Sequence, residues 1–185
     1  MKKNNLLGPS KGNSIVSINN IILIGMMGSG KTAVAKELAK KLEWAFLDTD
    51  HIIETELHKT ISSIFQREGE PFFRKKETQL LKKLAEENRT HTILATGGGI
   101  VLQEENRECL RGLGHVIYLS ASPETLFEHI EQMKDRPLLP NGPEERRKKL
   151  ALLVSDREPL YRETAHRTVT VDHKSIEEIT REILK

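Results

Sequence analysis

Residues 25–32 read GMMGSGKT, and this stretch decides how the rest of the chain is interpreted. Its spacing, Gly25, four residues, Gly30, Lys31 and Thr32, is that of a phosphate-binding loop. Glycines without side chains let successive backbone N–H groups approach a phosphate, and the following helix directs its positive end toward the same anion. The stretch therefore predicts a nucleoside-triphosphate site in which Lys31 reaches the β- and γ-phosphates.

Both flanks of this loop support the interpretation. The apolar run before it, residues 21–24, suits a buried strand, and Val34, Leu38 and Leu42 after it recur at helical spacing. A glycine-rich turn with an accidental lysine is the alternative, and the strand–loop–helix context argues against it. The loop does not indicate which molecule receives the phosphoryl group.

Length and composition describe an ordinary globular chain. Its 185 residues fit one domain, expected over residues 20–185, after a polar, flexible extension over residues 1–19. The 29 basic and 27 acidic residues leave a net charge of +2, which argues against nucleic acid as a partner. No apolar run approaches the roughly 20 residues of a membrane helix, and the start lacks an apolar signal segment. The single cysteine, Cys109, excludes an internal disulfide and favours a reducing compartment, so we expect a cytoplasmic protein with no membrane partner.

Five short apolar runs alternate with longer, charged, helix-like segments; they are "IILIG", "WAFLD", "TILAT", "HVIYLS" and "RTVTVD". This alternation predicts an α/β fold with a five-stranded parallel sheet and helices on both faces. Ser122 followed by Pro123 predicts the start of one of these helices. Functional sites in such sheets form at the carboxyl ends of the strands, so these ends are where other site residues are expected.

The second apolar run ends in two aspartates. Asp48 closes the run and can hold Mg²⁺, directly or through water, together with the Thr32 hydroxyl. Asp50, two residues further on, can orient or deprotonate an attacking hydroxyl. Alternatively, Asp50 only caps the helix that begins near it, and the spacing leaves both possibilities open.

The third apolar run ends in three glycines, Gly97, Gly98 and Gly99. Either they let another molecule approach the backbone closely, or they form a tight turn. Arg74, Arg136 and Arg157 are the arginines near predicted strand ends or loops, and each alone is typical of a surface residue. An arginine in a loop beside a phosphate site can instead clamp the transferring phosphoryl group.

Six motifs in order carry a resemblance to the shikimate kinases from about residue 20 onward: "GMMGSGKT", "FLDTDHIIE", "FFRKKE", "TGGGIV", "RPLL" and "REPLY". Each motif alone is generic, whereas the ordered set is specific. The resemblance implies a P-loop kinase of the nucleoside-monophosphate-kinase type, monomeric, with a mobile lid over about residues 131–143. It also implies transfer of the ATP γ-phosphoryl group to the 3-hydroxyl of shikimate, with Mg²⁺, in the route to chorismate and aromatic amino acids.

The same resemblance implies a role for each matching residue. Lys31, Asp50 and Arg136 would be catalytic, with Arg136 closing over the γ-phosphate from the lid. Thr32 and, through water, Asp48 would hold the metal. The nucleotide would contact Gly28, Ser29, Gly30, Lys31, Thr32, Ala33 and Arg136. Shikimate would contact Asp50 through its hydroxyls, Arg74 and Arg157 through its carboxylate, and the backbone of Gly97, Gly98 and Gly99. Glu77 would brace Arg74, and Phe65 and Phe73 would form an apolar wall.

One position departs from the pattern. Many of these kinases carry an arginine against the adenine seven residues before the lid arginine, and this chain has His129 there. A histidine can stack on adenine without a permanent charge. His173 or Lys174, in "VDHKS", would supply the other face of the adenine site.

Three other classes of protein share the phosphate-binding loop and are alternatives to a shikimate kinase. A gluconate kinase would share the phosphate-binding loop and the lid but lack the full ordered set of motifs. A GTPase-type switch is disfavoured because no aspartate is followed three residues later by glycine, and no Asn-Lys-x-Asp motif occurs. An inactive nucleotide-binding module is disfavoured because Lys31, Thr32, Asp48 and Asp50 are all present.

Overall fold

The computed structural model describes residues 19–131 and 142–185. Residues 1–18 of the predicted extension therefore lie outside the described residues, as do Arg136 and residues 132–141 of the predicted lid. The described chain folds around one sheet, and all of its strand pairings are parallel.

The sheet has five strands, as the apolar runs predicted, and their order is β2-β3-β1-β4-β5. The strands are β1 Asn20–Ile24, β2 Ala45–Asp48, β3 Thr92–Ala95, β4 His115–Ser120 and β5 Arg167–Thr170. The helices are α1 Lys31–Leu42, α2 Thr49–Leu57, α3 Ile61–Arg67, α4 Glu70–Glu86, α5 Glu104–Leu113, α6 Pro123–Glu131, α7 Pro143–Thr164 and α8 Ile176–Ile183. A 3₁₀ turn, Ile100–Leu102, precedes α5.

Both faces of the sheet are covered, because the side chains of the central strand β1 alternate between two apolar clusters. Ile22 and Ile24 belong to one cluster, and Ile21 and Leu23 belong to the other. The second cluster is completed by apolar side chains of α1 and α8, whereas α4, α6 and α7 contribute to the first. Burial on both faces explains why β1 is a continuous apolar run rather than an alternating one.

The strand order determines where the site forms. Strand β1 pairs with β3 on one side and with β4 on the other. After β1 the chain first builds β2 and β3 on one side of it and then crosses to the other side, where it builds β4 and β5. The carboxyl ends of β1, β2 and β3 meet at one edge, and they carry the phosphate-binding loop, the two aspartates and the three glycines. This is the position at which open α/β sheets bind ligands.

The predicted local signal, Ser122 followed by Pro123, starts helix α6 as expected. The Ser122 hydroxyl accepts a hydrogen bond from the Thr125 N–H at 3.2 Å, so Ser122 caps α6 and Pro123 is its first residue. Cys109 lies half-buried in α5. Within the described ranges, no helix has the length and apolar character that crossing a membrane requires.

Candidate active site

A cavity of about 590 Å³ lies at the carboxyl edge of the sheet, within the usual size range of small-molecule sites. The structure brings most of the predicted site residues to its walls: Gly28, Gly30, Lys31, Thr32, Ala33, Asp48, Asp50, Arg74, Gly97, Gly98, Gly99 and Arg157. Ser29 is the exception among those described, because it is buried behind the loop with its hydroxyl unpaired. One continuous cavity therefore joins the predicted nucleotide and acceptor sites.

The phosphate-binding loop has the backbone that its glycines predicted. Gly28 and Gly30 both adopt a φ of +83°, a region that favours glycine. A Cβ on Gly25 would lie 2.6 Å from the Leu119 carbonyl oxygen, so no larger residue fits there. The buried Lys31 ammonium donates to the Gly25 and Met26 carbonyls at 2.9 and 2.8 Å, which holds the positive charge over the loop.

Asp48, and not Asp50, caps the helix after β2. Its Oδ1 accepts hydrogen bonds from the Asp50 and His51 N–H groups at 3.1 and 3.3 Å. Its Oδ2 accepts a hydrogen bond from the Thr32 hydroxyl at 2.8 Å. The capping alternative for Asp50 is thereby excluded, and its carboxyl group is available to the cavity.

Thr32 and Asp48 fit a magnesium ion. Their oxygen atoms lie 2.8 Å apart beside the loop, and hydroxyl and carboxylate oxygens are ligands that Mg²⁺ prefers. Residues 19–131 and 142–185 contain no group of three or more His, Cys, Asp and Glu residues arranged to hold a metal. Mg²⁺ in phosphoryl-transfer sites takes most of its ligands from phosphates and water, so Thr32 and Asp48 can hold the ion without a third protein ligand.

The Asp50 carboxyl group is poised in a partly buried position. Its Oδ1 has no hydrogen-bond partner within the described residues. Burial, reinforced by the nearby Asp48, raises the pKa of Asp50 to about 6, although the positive charges of Lys31 and Arg74 oppose the change. A carboxylate in this state can accept a hydrogen bond or a proton from a ligand hydroxyl.

Glu77, on α4, directs its carboxyl group toward Gly97, as Asp50 does. It is fully buried, its Oε1 is unpaired among the described residues, and burial raises its pKa to about 7 against the lowering effect of Arg74. A Cβ on Gly97 would lie 2.5 Å from Asp50 Oδ1 and 2.8 Å from Glu77 Oε1. The two unpaired oxygens therefore converge on Gly97, and nothing larger than glycine fits between them.

Arg74 is fixed by two carboxylates and two aromatic rings. Its guanidinium donates to Glu77 at 2.7 Å, as predicted, and to Glu70 at 2.7 and 3.1 Å. The Phe65 and Phe73 rings lie 5.8 and 5.4 Å from it, and both line the cavity. Glu70 was not predicted as a site residue, although its place four residues before Arg74 on one helix indicates the ion pair.

The three glycines are required by close packing rather than by backbone angle, since none of them has a positive φ. A Cβ on Gly99 would overlap the Arg74 guanidinium, and one on Gly98 would lie 3.2 Å from the Met27 nitrogen. The buried Arg157 places its Nη1 3.4 Å from the Gly98 carbonyl oxygen. The glycines therefore form a tight turn against which cavity side chains pack closely, and the approach of another molecule to their backbone stays a prediction.

His129 lies against the phosphate-binding loop. Its Nδ1 is 2.7 Å from the Gly28 carbonyl oxygen, which can only accept, so Nδ1 carries a proton. Lys174 forms an ion pair with Glu182 at 2.8 Å, and His173 adopts a φ of +57° in the same loop. Contacts of these residues with adenine stay predictions.

Two buried residues that hold the site were not predicted. Thr49, between the two aspartates, accepts a hydrogen bond from the Gly97 N–H at 2.9 Å and so ties β2 to the glycine turn. Tyr161 donates its hydroxyl hydrogen to the Gly98 carbonyl from α7. Thr49 and Tyr161 both belong to motifs quoted above, but the contacts depend on the folded chain.

The comparisons with known proteins agree with this geometry. The family model described as "Shikimate kinase" matches residues 27–185. A shikimate kinase of Symbiobacterium thermophilum is 41% identical over 168 residues, covering 90% of this chain and 94% of that protein. The solved shikimate kinase of Acinetobacter baumannii, in complex with shikimate, is 41% identical with a TM-score of 0.84, covering 91% of this chain and 92% of its own.

A more distant neighbour bears on the alternatives. A gluconokinase of Sinorhizobium meliloti superposes with a TM-score of 0.51 at 20% identity, over 90% of this chain and 89% of its own, which is a likeness of fold alone. The family model instead matches residues 27–185, and the shikimate kinase of Symbiobacterium thermophilum covers 90% of this chain at 41% identity. This chain belongs to the shikimate kinase family.

Proposed function

We propose that this chain transfers the γ-phosphoryl group of ATP to the 3-hydroxyl of shikimate, giving shikimate 3-phosphate and ADP. The observation that carries the proposal is the single cavity that joins the phosphate-binding loop to Arg74, Arg157 and the Asp50 carboxylate. Shikimate presents the complementary groups, a carboxylate and a ring of hydroxyls. The step belongs to the biosynthesis of chorismate and the aromatic amino acids.

The acceptor is held by charge and by shape. The planar guanidinium groups of Arg74 and Arg157 suit a carboxylate, because each can donate two parallel hydrogen bonds to it. Glu77 and Glu70 hold the Arg74 guanidinium in place, so little side-chain entropy is lost when the acceptor binds. The Phe65 and Phe73 rings close the apolar side of this part of the cavity.

Asp50 is proposed to receive the proton. The acceptor O–H donates to the Asp50 carboxylate, the hydroxyl oxygen attacks the γ-phosphorus, and the bond from that phosphorus to the β,γ-bridging oxygen breaks to release ADP. A pKa of about 6 leaves Asp50 ionised at neutral pH yet makes it a better proton acceptor than an ordinary aspartate.

Lys31 and the backbone of the loop receive the phosphates. Lys31 Nζ is held by the Gly25 and Met26 carbonyls, close to where the β- and γ-phosphates are proposed to lie. The nucleotide is proposed to contact Gly28, Ser29, Gly30, Thr32 and Ala33 as well, at the positive end of α1. Arg136, outside the described residues, is proposed to close over the γ-phosphate as part of a lid.

Thr32 and Asp48 are proposed to hold Mg²⁺, Asp48 through water. When bound, the ion neutralises charge on the β- and γ-phosphates. The Thr32–Asp48 hydrogen bond keeps both oxygens on the nucleotide side of the loop, and the backbone bonds to Asp48 Oδ1 prevent that carboxylate from turning toward the acceptor.

An acceptor panel tests the proposed function. ADP release is measured with Mg·ATP and saturating shikimate, gluconate or AMP, and with no acceptor. We expect rapid release with shikimate alone, and release near the background level with the other acceptors. Equal or faster turnover with gluconate or AMP would contradict the proposal. The Asp50→Asn variant serves as the control for contaminating kinases, because its shikimate-dependent release should be far slower than that of the parent.

We also propose that the protein is cytoplasmic and monomeric. ATP is abundant in the cytoplasm, and the lone Cys109 suits a reducing compartment. Light scattering coupled to size exclusion checks the oligomeric state. A mass near 21.0 kDa is expected, and a mass twice that value would contradict a monomer.

A further inference from the structure

Tyr161 is a buried polar residue that the proposed mechanism leaves unused. It lies near the end of α7, its side chain is fully buried, and its ring stacks on Tyr118 with centroids 5.0 Å apart. Burial raises the pKa of Tyr161 above its usual range, so the hydroxyl keeps its proton and acts as a hydrogen-bond donor.

The Tyr161 hydroxyl donates to the Gly98 carbonyl, and the Met26 sulfur of the phosphate-binding loop lies 3.4 Å from the same hydroxyl. A hydroxyl has one proton to donate, and a carbonyl oxygen is a stronger acceptor than a thioether. The Arg157 Nη1 also lies 3.4 Å from the Gly98 oxygen. The carbonyl is therefore held from α7 by two donors.

Because the Gly98 carbonyl is held in place, the N–H group of the same peptide unit is held in place as well. The Gly98 carbonyl and the Gly99 N–H belong to one peptide unit, and all peptide bonds in the described ranges are trans. In a trans peptide the two groups point in opposite directions, so the Gly99 N–H is directed away from α7. It donates to no acceptor in the described part of the chain, and Gly99 lines the cavity against the Arg74 guanidinium.

We propose that Tyr161 is a positioning residue for the acceptor: its hydroxyl orients the Gly98–Gly99 peptide so that the Gly99 N–H joins Arg74 and Arg157 as donors to the acceptor carboxylate. The inference rests on the proposed function, since it needs a carboxylate acceptor in this cavity. It explains why a hydroxyl is present at a fully buried position where phenylalanine would pack equally well.

A pair of conservative variants tests the inference. Tyr161→Phe removes the hydroxyl that reaches Gly98, whereas Tyr118→Phe removes the hydroxyl of the ring stacked on it, which interacts with Ser120. KM is measured for ATP, for shikimate and for the analogue whose carboxylate is reduced to a hydroxymethyl group. Melting temperatures of both variants are recorded alongside.

We expect Tyr161→Phe to raise the KM for shikimate roughly 3- to 10-fold, the range of one lost hydrogen bond, and to leave the KM for ATP within about twofold. The KM for the hydroxymethyl analogue should hardly change, because that analogue has no carboxylate to accept the Gly99 N–H. Tyr118→Phe should leave all three values near those of the parent, even where its melting temperature falls as much.

Three outcomes would overturn the inference. One is a shikimate KM for Tyr161→Phe equal to that of Tyr118→Phe, and another is an equal rise for shikimate and the analogue. The third is a ¹⁵N-labelled parent protein whose Gly99 amide resonance does not move on adding shikimate, a measurement that does not depend on the variant folding. If the parent enzyme itself fails to phosphorylate shikimate, the proposed function falls first, so the two failures are distinguishable.

Discussion

Replacing Asp50 by asparagine should stabilise the folded protein while strongly lowering its kcat. The raised pKa of Asp50 means that the folded protein holds this carboxylate at a cost relative to the unfolded chain. Asparagine removes the charge, and its amide can donate toward Glu77 Oε1, which converges with Asp50 Oδ1 on Gly97.

The size of the effect follows from the change in pKa. A rise from 3.8 to about 6 is about 2 units, or at most about 3 kcal/mol of unfolding free energy at about 1.4 kcal/mol per unit. Because the side chain is only partly buried and faces an open cavity, screening by solvent reduces the expected gain to about 1–2 kcal/mol.

The gain in unfolding free energy of the variant over the parent must be larger at high pH than at low pH. Well below the unfolded pKa of 3.8 the carboxyl group is protonated in both states, so its burial costs nothing. The cost grows as the pH rises from about 4 to about 6 and is complete above the folded pKa. Asp50→Asn should therefore gain most of its stability at pH 8 and only a minor share of it at pH 4.

Thermal unfolding of parent and variant at pH 4 and pH 8 measures this gain. At about 2–4 °C per kcal/mol for a chain of this size, we expect the variant to melt roughly 2–8 °C higher at pH 8. Asp156→Asn, which removes an exposed carboxylate from α7, is the matched control and should melt with the parent. A variant that melts below the parent at pH 8, or whose melting temperature rises equally at both pH values, would contradict a destabilising Asp50 carboxylate.

Three further predictions concern the proposed ligand contacts. Lys31→Ala should lower kcat on the order of 10²–10³-fold with an unchanged circular dichroism spectrum, because a positioned charge on the transferring phosphoryl group is lost; near-normal turnover would remove Lys31 from the mechanism. Asp48→Asn should raise the Mg²⁺ concentration needed for half-maximal rate, whereas Asp50→Asn should leave the Mg²⁺ dependence of its residual rate unchanged; superimposable titrations would contradict this division. Arg74→Lys and Arg157→Lys should each raise the KM for shikimate and spare the KM for ATP, with less than additive effects together, since both serve one carboxylate; a parent-like KM in either variant would take that arginine out of the acceptor site.

The sheet could be predicted from sequence because burial on both faces leaves a direct trace. Each strand is a short apolar run, and each is separated from the next by a charged, helical segment too long for a hairpin. The parallel order then follows, and with it the meeting of three strand ends at one edge. This is why the phosphate-binding loop, Asp48, Asp50 and the three glycines were expected in one place before their geometry was known.

The roles and contacts of the individual site residues could not be predicted in the same way. Whether Asp48 or Asp50 caps α2 depends on which carboxylate meets the first N–H groups of the helix, and both aspartates fit the pattern. The Tyr161–Gly98 hydrogen bond joins residues 63 positions apart, so no local spacing indicates it. Glu70 was missed because a charged residue near a helix start is commonly solvent-exposed, and only its partner Arg74 makes it part of the site.

The position of the transferred phosphoryl group tests the central proposal most directly. The protein is incubated with Mg·ATP and shikimate, and the product is examined by correlating its phosphorus resonance with the ring protons. We expect one phosphorylated product whose phosphorus couples to the proton on carbon 3, formed at a rate that equals ADP release. Phosphorus coupled to another ring proton, or ADP release without a phosphorylated ring, would contradict an acceptor held by Arg74 and Arg157 with its 3-hydroxyl at Asp50.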